Sequence, residues 1–526
     1  MADRAFNLLN EQWICVMNSD YKIEKVSLID VFKNAHHYQG LAGETETQNV
    51  AMLRFLLAVL HSVFYHVNED GKISPIESQS EALRRWEAIW NMRNFPEKPI
   101  TDYLNQWEDR FWLFDDEHPF YQVPKITGTD NPAKKLNGEL VESNNKIQLF
   151  SLRSGKSKNE LNYDEAARWL IYLQSFGDTA AKKPSPKLGW VGGLGVVLAK
   201  GKTLFETMML NFVLLDNNSN VWEEPKPAWE LPQPREDKLI EIPLPNNQAE
   251  LLTLQCRRVL LCRTDNVVTG YIEAAGDYIE KENAFSEQMT YWGERKKGKE
   301  TLGFYPRAHD PSRQMWRDFS VMLGEGTKMP GVVFWTKKLK EKGKIDKNRV
   351  ITFQIVGVTY GSMCCGITDE FSDELKFHTG LLEELGKKWV RHITDEIERC
   401  DMFAKAIGQL SLDLNKAIGG DGVFASQQAK EQCYYRFDIP FRNWLMDIDP
   451  ENQKNMEVRE KREQWENTAK QIVIDLGKEL VEHAGTAALV GKTVVEKIKN
   501  KDVKSHYCSA KAFNKFLYQI SREERK

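Results

Sequence analysis

Met52, Leu53, Leu56, Leu57, Leu60 and Phe64 keep the i, i+3, i+4 spacing that lays a wide apolar stripe along a helix, so the pattern predicts a core helix over 47–66. Arg54, His61 and His66 interrupt the run, which stops short of the roughly 18 uncharged residues a membrane span needs. Upstream, residues 12–17 and 22–26 flank the turn residues Asn18, Ser19 and Asp20 and predict a strand pair. Ser27, with Asp30 three residues on, marks the start of a short helix. Downstream, the spacing predicts a helix over 164–176, and Thr203 with Glu206 forms a capping box ahead of the apolar run to Leu215. Residues 251–263 and 350–360 read as strands, and Asp310 before Pro311 predicts the cap of a helix to Met322. From about Ser372, helical periodicity recurs over 373–407, 424–446, 450–482 and 505–522, separated by Gly or Pro breaks. The expected fold is α+β, with a large mixed α/β N-terminal domain over 1–370 and a C-terminal four-helix bundle over 371–526.

Some stretches carry no period. Residues 128–145 (GTDNPAKKLNGELVESNN) predict a long mobile loop, and 177–187 (GDTAAKKPSPK), running into the glycine cluster Gly189 to Gly195, predicts a second exposed loop. Proline and asparagine dominate 217–248, the mark of a connection.

Composition narrows the function classes. A length of 526 residues suffices for about two to four domains, and 41% hydrophobic with 28% charged residues excludes a disordered chain. Lys and Arg total 72 against 76 acids, a net charge of −4, so any contact with nucleic acid must come from local patches. The 15 Trp are read first as core, and second as interfaces or stacking platforms. Met1 to Phe6 holds an acid and no apolar core, unlike a secretory signal, and the cysteines form no C-x-x-C pair. These features predict a cytoplasmic protein with no membrane partner, no metal and no cofactor.

Motifs for catalysis are weak. Gly201-Lys202-Thr203 and Gly491-Lys492-Thr493 resemble phosphate loops, but Gly195 and Gly485 each lie one residue too far away, and the capping box already explains the first. His309-Asp310 evokes the metal-binding pair of phosphohydrolases, although Asp310 before Pro311 also reads as a helix cap, and no G-x-S-x-G or H-E-x-x-H is present. Adjacent Cys364 and Cys365 read as small loop residues or as a redox pair. Charge says more. Residues 281–349 carry 16 Lys or Arg against 9 acids, interleaved with Phe285, Tyr291, Trp292, Phe304, Tyr305, Trp316, Phe319, Phe334 and Trp335, and 492–526 carry ten against four. That mixture suits a nucleic-acid surface; the plainer alternative is a solvated charged face with its aromatics turned inward.

A series of strings then carries a resemblance. Phe6-Asn-Leu-Leu-Asn-Glu-Gln-Trp13-Ile14, Ser27-Leu28, Ala35-His36, Gly43, Ala51-Met-Leu-Arg54-Phe-Leu-Leu-Ala58-Val-Leu60 and His118-Pro119-Phe120-Tyr121-Gln122-Val123 resemble, in order and spacing, the CasA family. The likeness continues through Gly189 to Gly193, 203–215, Pro227-Ala-Trp229, Tyr305-Pro306 and the helical C-terminal part. CasA is the large subunit of the type I-E CRISPR surveillance complex, Cascade. The resemblance implies a non-catalytic protein that recognises the protospacer-adjacent motif (PAM) in target double-stranded DNA, promotes unwinding and R-loop formation, and helps recruit the helicase-nuclease. Its implied partners are the other Cascade subunits, the crRNA, the target duplex and the displaced single strand, with base pairing reading most of the sequence.

The resemblance also implies roles for residues. The loop touching the crRNA end falls at 128–150, with Phe150 as its aromatic anchor. The glycine loop that approaches the motif falls within 177–187, where a single Gly177 and a Lys-Pro-Ser-Pro run replace the family's glycines and leave Lys182, Lys183 or Lys187 to bind phosphate. Lys296, next to Lys297, aligns with the minor-groove lysine, and Met363, Cys364 and Cys365 stand at the hairpin wedge, where relatives can place amides. In the bundle, Arg442, Lys461, Arg462, Lys492 and Lys497 are candidates to guide the displaced strand, or one solvated helix face. Two alternatives stand beside this reading: a metal-dependent phosphohydrolase around His309 and Asp310, and an assembly scaffold that does not bind DNA.

Overall fold

The computed structural model describes residues 4–138, 153–179, 186–232, 238–298, 300–346, 349–451, 455–498 and 501–522. The backbone divides into two compact units, one of Met1–Pro311, Val321–Asp346 and Ile351–Glu374, the other of Ser312–Ser320, Lys347–Val350 and Leu375–Lys526.

In the first unit, strand Ile14–Met17 pairs with Ile23–Val26 and with Gly40–Leu41. Asn18 closes the turn, its Oδ1 accepting from the Asp20 and Lys22 amides at 3.0 Å each. Ser27 caps helix Leu28–Lys33 through the Asp30 amide at 3.1 Å, as its spacing predicts. Helix Glu46–His66 starts at Thr45, whose hydroxyl accepts from the Gln48 amide at 3.1 Å. By length and composition it is apolar enough to cross a membrane, more so than the sequence pattern suggests. Apart from half-buried Asn49 it is buried within the unit from Thr47 to Phe64, which makes it the core helix. Arg54 at its centre is neutralised by Glu287 through two bonds of 2.9 Å, and Trp190 and the Met289 amide donate to the same carboxylate at 2.7 and 2.9 Å. His61 packs on Phe212 with ring centroids 4.7 Å apart, and burial pushes its pKa down to about 3, so it is a neutral core residue.

Two three-stranded sheets carry the rest of this unit. Val267–Ala275 lies between Arg257–Thr264 and Thr129–Pro132; Val350–Tyr360 lies between Val196–Lys200 and Ile367–His378. Four expectations are corrected here. The loop predicted over 128–145 contains an edge strand, Thr129–Pro132, and the short helix Ala133–Leu136, because Asn131 ties it to Glu273 of the sheet at 3.2 Å; its remainder beyond 138 lies outside the described residues. Leu251 and Leu252 end a helix, Gln248–Leu252, capped by Asn247, so the strand begins only at Arg257. The glycine cluster is no exposed loop. Trp190, Val191 and Leu194 are buried, Gly192 admits the Tyr360 hydroxyl and Gly193 the Lys281 ammonium, where any Cβ would collide. Asp310 caps no helix: helical structure starts at Met315–Asp318, behind Gln314, and Arg313 pairs with Asp318 at 2.9 Å.

The second unit is built on helices Lys387–Ile418, Val423–Met446, Asn455–Val490 and Ser509–Arg522. Trp465 centres its core, with Phe441, Trp444 and Phe437 at centroid distances of 5.0, 5.7 and 6.2 Å. The helix expected from 373 starts at 387, since Leu375 and Phe377 are buried around exposed Lys376, the period of a strand. The helix expected from 505 starts at 509. Before it stands an antiparallel hairpin, Lys492–Ile498 with Lys501–Tyr507, in register from Lys492↔Tyr507 to Ile498↔Lys501.

Candidate nucleic-acid interface

Strands Val350–Tyr360 and Ile367–His378 form a hairpin whose tip is closed by the Gly361 amide donating to Gly366 O at 2.9 Å. Met363 and Cys364 both take left-handed backbone, φ 56° and 58°, which costs about 1 kcal/mol or more per non-glycine residue. Hydrogen bonds from the neighbouring loop offset that cost. The Thr179 amide donates to Cys364 O at 3.1 Å, its hydroxyl to Met363 O at 2.7 Å, and Asp178 Oδ2 accepts from the Gly366 amide at 2.6 Å. Behind them the Tyr360 hydroxyl donates to Phe176 O at 2.8 Å. Arg257, fully buried and paired with Glu273 at 2.9 Å, donates to Asp178 O. The two segments that the sequence offered separately, the loop from Gly177 and the tip at Met363 to Cys365, are therefore one braced assembly. Met363 projects from it 85% exposed.

Lys296 and Lys297 end strand Trp292–Lys297, which pairs with Glu300–Pro306. The hairpin is rooted by buried Trp292, whose carbonyl accepts from the Thr327 hydroxyl at 2.7 Å. Lys296 is 55% exposed and pairs with Glu294 at 2.6 Å. This contact holds the Glu294 carboxyl below its ordinary range, together with the Thr301 hydroxyl. An exposed pair of this kind is screened by solvent, so the ammonium can readily exchange Glu294 for another acceptor. Lys187 is exposed and holds its ammonium 5.1 Å from the Tyr278 ring centroid. Lys182, Lys183 and Phe150 lie outside the described residues.

The aromatic residues of 281–349 follow the plainer reading. Tyr291, Trp292, Trp316, Phe319 and Trp335 are buried, and Phe285 and Phe304 are half-buried under the Lys328 ammonium. In the second unit, Arg442 pairs with Asp438 at 2.7 Å, Lys461 with Asp447 at 3.5 Å, and Arg462 with the fully buried Glu396 at 3.2 Å. Arg442 and Arg462 thus serve ion pairs within the bundle and do not form an open basic face. Lys492 is exposed and begins the hairpin strand that also holds Lys497.

The catalytic alternatives find structural explanations. His309 Nε2 lies 2.8 Å from Val196 O, and its ring packs on Tyr291 at 4.8 Å, so the imidazole is a packing residue. Among the described residues, no three His, Cys, Asp or Glu side chains gather as a metal site. At Gly201-Lys202-Thr203 the amides that would cradle a phosphate are taken, Gly201 by Thr207 Oγ1 at 3.0 Å and Lys202 by Glu206 at 3.1 Å.

One feature escaped the sequence reading. A cleft of about 960 Å³ in the first unit is walled by Trp169, Tyr172 and Phe176 of helix Tyr163–Phe176 and reaches Asp178 and Gly366 at the braced tip. Its charges are mixed, with Lys25, Lys135, Arg153 and Arg168 facing Glu44, Glu165, Glu273, Asp369 and Glu370. Arg168 is held by Asp164 at 3.0 Å and donates to Trp13 O at 2.6 Å. Burial pushes the Glu370 carboxyl up, against hydrogen bonds from Thr47 at 2.8 Å and Tyr172 at 3.4 Å. The signal was present: aromatic residues at 169, 172 and 176 share one face of a helix that ends at Gly177.

Comparison with known proteins gives a consistent result. The family model for CRISPR-associated protein Cse1 matches residues 7–476. A CRISPR-associated protein CasA/Cse1 of Thermus thermophilus is 28% identical over 436 residues, 79% of each chain. The crystal structure of Thermobifida fusca Cse1 superposes with a TM-score of 0.82 at 26% identity, covering 99% of this chain and 98% of that one. A chain of a CRISPR RNA-guided surveillance complex shares the fold, with a TM-score of 0.63 at 15% identity over 92% of this chain and 99% of its own.

Proposed function

Because this chain belongs to the CRISPR-associated protein Cse1 family, we propose that it is the large, non-catalytic subunit of an RNA-guided type I-E surveillance complex in the cytoplasm. In this reading it recognises the PAM in duplex DNA, starts strand separation, and helps to recruit the helicase-nuclease once the crRNA has paired. The observation that carries the reading is the braced tip. An apolar side chain, Met363, stands exposed on a backbone fixed from Asp178 and Thr179, and a protein that unstacks a base step needs an apolar wedge that does not yield. Lys296 supplies the second element, an exposed cation on a rooted hairpin that suits the acceptor-rich minor groove. Of the bundle residues, Lys492 and Lys497 are the ones we assign to the displaced strand.

The test is binding of the crRNA-loaded complex to target duplexes with randomised flanking bases, with and without this subunit, at fixed salt. Flank preference and strand opening are expected only with the subunit present. Equal affinity and equal preference without it would leave an assembly scaffold as the better description.

A further inference from the structure

The eight cysteines are not equivalent. Cys15, Cys256, Cys400 and Cys433 are buried, and burial pushes each of their thiols up, that of Cys433 to about 12, so they are inert at neutral pH. Cys262, half-buried, is pushed the same way. The pair at the hairpin tip is reachable from solvent. Cys364 is exposed and Cys365 is half-buried beside it, with its sulfur 3.8 Å from both Thr179 Oγ1 and Met363 O. Lys281, half-buried where Gly193 makes room for its ammonium, has its pKa pushed down by burial and partly restored by Cys364 nearby. An exposed thiol is open to a small oxidant, and an adjacent thiol is a resolving partner that needs no movement between elements.

We propose that Cys364 and Cys365 form a dithiol site that hydrogen peroxide oxidises reversibly to a disulfide. The Cys364 thiolate attacks one peroxide oxygen; the S–O bond forms, the O–O bond breaks, and the departing hydroxide takes a proton and leaves as water. The Cys365 thiolate then attacks the Cys364 sulfur; the S–S bond forms, the S–O bond breaks, and the second oxygen leaves as water. The dithiol gives up two electrons and two protons, and the peroxide is reduced to two waters. A dithiol reductant reverses the change.

The test treats the reduced full-length protein with limiting hydrogen peroxide and examines the tryptic peptide 350–376, which holds both cysteines and Met363. The peptide is expected to lose two hydrogens ahead of any change at the other six cysteines and to regain them with dithiothreitol. In Cys365→Ser, dimedone is expected to trap a sulfenic acid on Cys364. A peptide that gains only a Met363 sulfoxide oxygen, or a pair that reacts no faster than Cys262 or Cys508, would overturn the proposal. None of these readouts involves DNA, so their failure is distinct from failure of the PAM-reading role.

Discussion

At the scale of single residues, the side chains that matter are those whose partners can be exchanged. Among the described residues Lys296 pairs with Glu294 of the same hairpin, its own side chain in solvent, so Lys296→Ala should leave the melting temperature within about a degree or two. If the ammonium contacts DNA, the same change should weaken target-duplex binding in the assembled complex and reduce the slope of log K against log salt by about one. Unchanged affinity and slope at physiological salt would remove Lys296 from the interface. Glu370 is the opposite case, a carboxyl held by Thr47 and Tyr172 and raised by burial. A carboxyl raised in the folded state binds its proton more tightly there than in the unfolded chain. Stability is therefore lost as pH climbs from the ordinary carboxylate range through the folded value. Glu370→Gln keeps a carbonyl oxygen to accept from one hydroxyl and offers an N–H that the other hydroxyl oxygen can accept, so it should melt above the parent protein at neutral pH, with the gap closing by about pH 4. Melting curves across that range read the sign directly.

At the scale of elements, legibility followed the strength of local signals. The core helix, the Ser27 and Thr203 caps and the strand Val350–Tyr360 each carry a period or a capping pair that few other structures would satisfy. The strand end at 373–378 did not, because Asp373, Glu374 and Lys376 mask the alternation of Leu375 and Phe377 and blend into the helical run that follows. The hairpin before the last helix was hidden likewise: Lys and Glu among Val494, Val495 and Ile498 satisfy a helix as well as a strand until the pairing is known. The candidate site was legible in its parts and illegible in its assembly. No local rule could join Thr179 to Met363, a contact across 184 residues. That contact makes its own prediction. Thr179→Val removes the hydroxyl and keeps the amide, so it should cost about 1 kcal/mol in stability. It should also raise hydrogen exchange at Cys364 and Gly366 while the core helix stays protected. Unchanged exchange at the tip would mean that the loop does not brace it.

At the scale of the whole molecule, a net charge of −4 gives no general attraction for a polyanion. In the proposed role, duplex affinity depends on a few local groups, and a small covalent change at one of them is not diluted by bulk electrostatics. The braced tip is where such a change has most effect, since it joins the exposed Met363, the left-handed backbone at 363 and 364, and the oxidisable pair in one short segment. Closing a disulfide between adjacent residues must rearrange the carbonyls of Met363 and Cys364 that Thr179 now holds. The assembled complex carrying peroxide-treated subunit should therefore bind target duplex about five- to tenfold more weakly, roughly 1–1.4 kcal/mol, and recover after reduction. A Cys364→Ser, Cys365→Ser double variant, whatever its starting affinity, should show the same affinity before and after peroxide. If the oxidised wild-type complex binds and opens duplex as well as the reduced one, with the disulfide verified by mass, the tip is not the wedge. Strand opening would then be sought at the lysine hairpin or along the cleft of Trp169, Tyr172 and Phe176.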